Sequence, residues 1–416
     1  MFVINGKMFG GNKQTGSEAT YDRLILHCDC NCFFASVEMV AHPEYRSVPM
    51  AVCGSRADRH GIVLAKNELA KKAGITTGEV IWQAKKKCPS LVIAEPHYDL
   101  YEEYSAEANR IFSEYTDMIE PFGIDESWLD VTGSTRLFGS GKKIADEIRN
   151  RMRNELGITS SVGVSFNKTF AKLGSDYKKP DATTVITPDN YKQILFPLPI
   201  GDMLYIGRHT VPRMKLLGIN TIGDLASSDE DMLVSQFGKM GKTMYDLCSG
   251  RDVSPVISVP PKAKSYSNGM TFVRDLEGER DYRAAVTCLA EKVSARMRRD
   301  GAKCRVVGVA VRDTLLNVSV RNKKINSATS ATELLINEFW NLLVSNWDIS
   351  KAARSITLLC SSIENVYPSE QIKFFYSSEE TKRMKAESLD NSVDKLRERY
   401  GKGIISRGCI MNGVVI

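Results

Sequence analysis

The chain has 416 residues, 43% hydrophobic and 25% charged, with a net charge of +6, values that exclude a disordered polyelectrolyte and allow several separate cores. No apolar run approaches the ~18 residues needed to span a bilayer, and the first twenty residues, with Gly10, Gly11 and Gly16, lack a signal-peptide core and read as a flexible extension over 1–20. The ten cysteines show no metal-knuckle spacing, so they read as reduced thiols of a cytoplasmic protein, with Cys28, Cys30 and Cys32 as small packing residues alternating along a strand.

Arg23 to Asp29 reads as a buried strand ending in an acid, followed by a helix from Asn31 to Val40 that carries Phe33, Phe34 and Val37. A strand pair follows at Pro49–Cys53 and Gly61–Leu64, then two basic helices, Lys66–Ala73 and Trp82–Cys88. Tyr98–Tyr115 is a long amphipathic helix. Ile119–Val131 reads as two short strands with Asp125 and Glu126 at their bend. Lys142–Leu156 is helical, with Ile144, Ile148, Met152 and Leu156 near one face, and Ser160–Ser165 is a Val-rich strand. Strand, helix, hairpin, helix, strand describes a split βαβ, ferredoxin-like core with an insertion.

Beyond Asp189 come short helices around Tyr205–Thr210 and Leu217–Leu225, which imply glycine hairpins, and then a proline-rich linker over 254–264. A strand at Ser265–Phe272, a helix at Tyr282–Asp300, strands at Cys304–Val311 and Asn317–Val320, a helix at Ala331–Asn346 and a strand at Ser355–Ser361 make a second βαββαβ unit without sequence repeat. From Pro255 to Pro368 there are 17 Lys/Arg against 11 Asp/Glu, so this segment carries as much excess charge as the whole chain. The tail ends in a charged helical stretch, Ser388–Tyr400.

The inner strands of a ferredoxin-like sheet lie side by side, so Asp29 and the Asp125-Glu126 pair can meet in a carboxylate cage suited to magnesium, a hard cation that prefers oxygen ligands. Read alone, the same acids serve equally as a helix cap and turn residues. An aromatic such as Phe34 is equally a core residue, and Lys66 and Lys71 a solvated helix face.

The stretch from Asp29 through Phe33-Phe34 to Glu38, together with Gly123-Ile-Asp125-Glu126-Ser-Trp-Leu-Asp130, strongly resembles Y-family DNA polymerases of the polymerase IV type. Gly163-Val-Ser-Phe-Asn167-Lys168, Lys179-Pro180 and the Leu389–Gly401 tail continue the resemblance over nearly the whole chain. It implies an α+β right-hand polymerase with a ferredoxin-like palm (21–40 and 97–186), small fingers (41–96), a helix-hairpin-helix thumb (187–253), a βαββαβ little finger (265–366) and a tail (367–416).

The resemblance further implies that Asp29, Asp125, Glu126 and the backbone carbonyl of Cys30 bind two Mg2+ ions, with Mn2+ as a substitute. Phe34 falls at the steric gate with Phe33 beside it, Lys179 matches the family's triphosphate lysine, and Lys71, as a point charge, and Lys66, in compensation, are expected near the same phosphates. Here the chain departs from its relatives, because Glu68 and Lys71 stand where the family has a Tyr-x-x-Arg pair. Gly207, Arg208 and Thr210 match a DNA-phosphate hairpin, while Arg305, Arg312, Arg321, Lys323 and Lys324 are expected on the duplex backbone. Gln371, Ile372, Phe374 and Phe375 resemble a sliding-clamp peptide, although a surface strand fits them too. The expected activity is low-fidelity primer extension past damaged template by a monomer acting on primer-template DNA and deoxynucleoside triphosphates. A nucleotide cyclase and a non-catalytic DNA-binding accessory relative are the competing readings.

Overall fold

A computed structural model describes residues 23–55, 61–365, 377–401 and 403–408. The extension 1–20 and the peptide Gln371–Phe375 lie outside the described residues. The chain divides into two compact units, one of Met1–Cys53 and Val63–Pro260, the other of Gly54–Ile62 and Pro261–Ile416.

In the first unit β1 (Ile25–Cys30) leads into α1 (Phe33–Ala41). An insertion follows, made of β2 (Met50–Cys53), β3 (Val63–Lys66), α2 (Glu68–Lys72), α3 (Ile81–Lys87) and β4 (Val92–Ala94), with β2 between β3 and β4. The chain returns through α4 (Tyr98–Ser113), the hairpin β5 (Ile119–Pro121) and β6 (Glu126–Asp130), the short α5 (Thr135–Phe138), α6 (Gly141–Leu156), β7 (Ser160–Ser165), α7 (Lys168–Tyr177) and β8 (Thr183–Val185). The main sheet has the order β5-β6-β1-β7-β8, so β1 and β6 are neighbours, as the split βαβ reading requires.

All six residues of β1 are buried because both faces of the strand are covered. Leu26, Cys28 and Cys30 pack with Ile111, Phe112, Ile144 and Ile148 of α4 and α6, which accounts for two of the alternating cysteines. Ile25, His27 and Asp29 face the opposite side, where α7 lies and where Ile25 packs with Trp128 and Ala171. The sequence reading did not recognise α7 as a helix. It begins at Asn167, whose side chain accepts the Phe170 N–H at 2.7 Å, an N-cap signal visible in the sequence.

Five further helices, α8 (Tyr191–Leu195), α9 (Thr210–Leu216), α10 (Ile222–Ala226), α11 (Glu230–Phe237) and α12 (Lys239–Cys248), share a core with Phe170 and Leu173. The proline-rich stretch after them begins fixed to the main sheet: Val256 is 2% exposed against Ile25 and Trp128, and Ile257 N–H donates to Glu120 Oε2 at 2.7 Å.

The second unit contains β9 (Ser265–Leu276), α13 (Gly278–Arg299), β10 (Ala302–Asp313), β11 (Val318–Thr329), α14 (Thr332–Val344) and β12 (Ala353–Asn365), with sheet order β11-β10-β12-β9. The first strand of the first unit, β1, is internal in its sheet, whereas the first strand of the second unit, β9, is at the edge. Element order therefore repeats, and sheet topology does not. One sheet face, with Val307, Val309, Ile356 and Leu358, packs on α13 and α14. A last helix, α15 (Ser378–Tyr400), starts ten residues before the stretch read as helical and is bound to this unit. Asp394 Oδ2 accepts from Arg298 at 2.6 Å, while Asp390 Oδ2 lies 3.3 Å from Arg298 and accepts the Thr332 N–H at 2.7 Å. Arg298 is 8% exposed, and losing one partner of so buried a pair costs about 3–5 kcal/mol, so the tail helix is an integral part of the unit.

Candidate active site

The register of β1 with β6 sets Asp29 opposite Glu126, and Cys30 N–H donates to the Asp125 carbonyl at 2.9 Å, which ties the hairpin bend to the end of β1. The three acids meet at a cleft of about 300 Å³ that Lys66, Thr77 and Lys179 also line. Two lysines neutralise two of the acids. Lys179 Nζ lies 2.7 Å from Asp29 and 2.7 Å from Asp176, and Lys172 Nζ lies 2.5 Å from Glu126 Oε2.

Titration follows from that arrangement. Burial, followed by the charges of Asp29 and Glu126, pushes the Asp125 carboxyl up to about 6. Burial also opposes the charge on Glu126, but His27 and Lys172 outweigh it and hold that carboxyl at about 2. Asp29 is raised by burial against the pull of Lys179. Burial lowers His27, whose Nε2 is 3.3 Å from Glu126 Oε2 and whose Nδ1 meets Ser175 Oγ at 2.8 Å. Asp125 has no ion pair among the described residues and stands beside two lysine-bound acids, which leaves a site short of positive charge. Its carboxylate donors are hard, which suits magnesium or manganese, so the residues fit a divalent ion of that kind.

His27, Asp29 and Glu126 offer ligand atoms within 4.8 Å of one another, and neither His27 nor the Lys172 contact was foreseen. The available signal for His27 was its place two residues before Asp29 on one face of β1. Lys172 needed the position of α7, and that position depends on Gly163. This residue pairs with His27 across β1 and β7, and a Cβ on it would lie 1.8 Å from the Ala171 carbonyl and 2.5 Å from Ser175 N. Gly163→Ala must push α7 off the sheet, carrying Lys172 and Ser175 away from Glu126 and His27. A loss of about 2–3 kcal/mol in chemical denaturation is expected, with activity falling further than the loss of folded protein explains.

Among the other residues singled out, Lys66 donates to Thr77 Oγ1 at 3.0 Å inside the cleft. Lys71 does not line it. Lys71 Nζ sits 3.7 Å from Glu68 Oε1, and that same oxygen accepts from Cys32 Sγ at 3.4 Å. Phe33 is 3% exposed and belongs to the core while touching the cleft. Phe34 is half-buried and stacked on Tyr101, with ring centroids 4.1 Å apart and an interplanar angle of 12°. Tyr101 OH in turn donates to the buried Glu38 carboxylate at 2.5 Å.

Gly207 and Arg208 lie exposed in the turn before α9, and Thr210 opens that helix with its N–H on the Gly207 carbonyl at 2.9 Å. The five basic residues of the second unit do not share one face. Arg321 and Lys323 pair across the ladder with Val309 and Val307, on the side of α13 and α14, and Lys323 reaches Glu338 at 2.8 Å. Arg312 and Lys324 fall on the opposite face, while Arg305 sits at a register shift and is held by Glu364.

A ferredoxin-like sheet with acids on neighbouring inner strands beside a lysine-lined cleft defines a metal-dependent nucleotidyltransferase. The impB/mucB/samB family matches residues 28–176, and its C-terminal domain matches residues 263–374. The chain is 44% identical to DNA polymerase IV of Acetivibrio thermocellus over 393 residues, which cover 94% of this chain and 98% of that protein. It is 34% identical to DNA polymerase IV of Moorella thermoacetica over 396 residues, 94% of this chain and 97% of the relative. Among solved structures it is similar to the Y-family DNA polymerase chimera Dbh-Dpo4(243-245)-Dbh, with a TM-score of 0.71 at 25% identity over 82% of this chain and 100% of that one. DinB from Sulfolobus solfataricus is similar at a TM-score of 0.58 and 26% identity, over 82% of this chain and 100% of that one. The chain belongs to this family, the Y-family DNA polymerases. No helix among the described residues is long and apolar enough to cross a membrane.

Proposed function

We propose that this chain extends a primer 3′ end on a DNA template by two-metal phosphoryl transfer and that it works past damaged template bases. The observation that carries the reading is the meeting of Asp29, Asp125 and Glu126 at one cleft with Lys179 in contact. Two Mg2+ ions, held by the three carboxylates and the Cys30 carbonyl, would neutralise charge on the attacking and leaving oxygens. The chain's own residues do the positioning. Lys179 exchanges its contact with Asp29 for the incoming triphosphate, and Lys66 approaches the same phosphates from β3. Phe34, backed by Tyr101, lies beneath the sugar and leaves no space for a 2′-hydroxyl. Lys71 does not line the cleft, so the triphosphate grip rests on Lys179 and Lys66.

Residues 21–40 and 97–186 then act as palm, 41–96 as fingers, 187–253 as thumb and 265–366 as little finger. The Gly207 turn would meet DNA phosphates through backbone N–H groups, and Arg312 and Lys324 would meet the duplex from the sheet face away from the helices. Presence of all three acids at the cleft argues against a purely DNA-binding accessory role. A primed template with four deoxynucleoside triphosphates tests the proposal: extension in Mg2+, abolished by chelator and restored by Mn2+, is expected. No extension on intact or abasic template would overturn it.

The family resemblance of Gln371–Phe375 supports attachment to a sliding clamp, and the reduced cysteines support a cytoplasmic site of action for a monomer. Deleting residues 371–375 should cut the length of product made per binding event about tenfold with the clamp present and leave it unchanged without the clamp. Equal loss in both conditions speaks for a folding role.

A further inference from the structure

Helix α3 carries no acid, and its outer face presents Trp82, Lys85 and Lys86 at the i, i+3, i+4 spacing that brings side chains together. Trp82 is 63% exposed, a large aromatic left in water. Lys85 and Lys86 are exposed and have no ion pair among the described residues, whereas the next lysine, Lys87, is held by Glu79 at 2.6 Å and by the Gly74 carbonyl at 2.9 Å. Packing therefore uses one side of the helix and leaves a ring and two free cations on the other.

Backbone bonds tie the segment that enters α3 to a strand lining the cleft. Gly78 N–H donates to the Val63 carbonyl at 2.8 Å and Val63 N–H to the Glu79 carbonyl at 2.9 Å, so the segment entering α3 runs beside β3. Leu64, Ala65 and Lys66 of β3, and Thr77 just before this segment, line the cleft. Trp82 lies five positions after Thr77, at most ~18 Å of chain, or roughly five stacked nucleotides at about 3.4 Å each.

We infer that Trp82, Lys85 and Lys86 form a landing site for the unpaired template strand that has yet to enter the active site. This rests on the polymerase reading, which supplies such a strand. The chemistry selects single strand over duplex: a base that is unpaired can lie on an indole face, while duplex bases are already stacked and paired on both sides. The two ammonium groups match the phosphates that flank a stacked base. No base edge is read, so the site accepts any template sequence, as a polymerase needs.

The test measures affinity of the full chain for primer-templates of one duplex with template overhangs of one or twelve nucleotides, without nucleotide, by fluorescence anisotropy. Wild-type protein should bind the long overhang about tenfold more tightly, since stacking contributes roughly 1–3 kcal/mol per base and about 1.4 kcal/mol is tenfold. Trp82→Ala should remove most of that preference and Trp82→Phe retain part of it. The double variant Lys85→Ala/Lys86→Ala should lower the salt slope on the long overhang by about 1.4, two phosphates at ~0.7 each. Affinity and single-nucleotide insertion on the one-nucleotide overhang should be unchanged in all variants, which separates this inference from the polymerase reading itself. Three results would overturn it: no overhang preference in wild type, a preference untouched by the variants, as a protein-docking face would give, or equal weakening on both substrates.

Discussion

Asp125→Asn should lose primer extension by roughly three orders of magnitude while its affinity for primed template stays within about twofold of wild type. Among the described residues it is the one of the three acids with no ion pair, so no contacting side chain there takes the place of the cation it is expected to hold. The same variant should be more stable than wild type when chelator removes metal. A carboxyl raised to about 6 in the folded chain is disfavoured there in its charged form, so it costs stability at neutral pH. The sign is definite: that cost is absent below the unfolded value of 3.8, grows as pH rises, and is complete above about 6. Thermal melts in chelator should therefore show Asp125→Asn above wild type at pH 7.5, with the gap closing towards pH 4. A variant less stable than wild type at pH 7.5 would mean that Asp125 is a structural residue.

Phe34→Ala should raise ribonucleotide insertion relative to deoxynucleotide insertion by about a hundredfold, mostly through better ribonucleotide use. The ring works as a barrier only if it cannot retreat. Tyr101 stands 4.1 Å behind it and is itself fixed by a 2.5 Å hydrogen bond to Glu38, a carboxylate 1% exposed. That fixed backing makes a hydroxyl-sized clash expensive, where a mobile ring would yield. Single-nucleotide insertion kinetics with matched ribo- and deoxynucleotides measure the ratio, and an unchanged ratio removes Phe34 from sugar selection.

Much of this was legible in the chain itself because the signals are local. Arg23 to Asp29 reads as a buried strand ending in an acid, and the structure leaves no position of Ile25–Cys30 exposed. The helices α4 and α6 announce themselves by period, and the bend at Asp125 by its turn residues. Helix α7 escaped because it is short and only two residues separate it from β7: Phe170 and Leu173 serve the core of the five following helices, Ala171 serves the sheet, and Lys172 reaches Glu126. The basic residues of the second unit were all expected on the duplex backbone, since a list of charges carries no register. Pairing Arg321 with Val309 and Arg312 with Val318 sends them to opposite faces.

By itself the sequence determined most of the elements, the identity of the three acids and the family, since periodicity, turn chemistry and motif spacing are written residue by residue. Tertiary structure alone decided which groups meet: Lys179 on Asp29, Lys172 and the His27 ring on Glu126, and, among the described residues, no ion pair on Asp125. It also decided that the tail helix is bound through Arg298 and that the proline-rich stretch starts against the sheet. Those contacts join residues far apart in the chain, and they depend on strand register and on the close approach at Gly163, neither of which a local pattern contains.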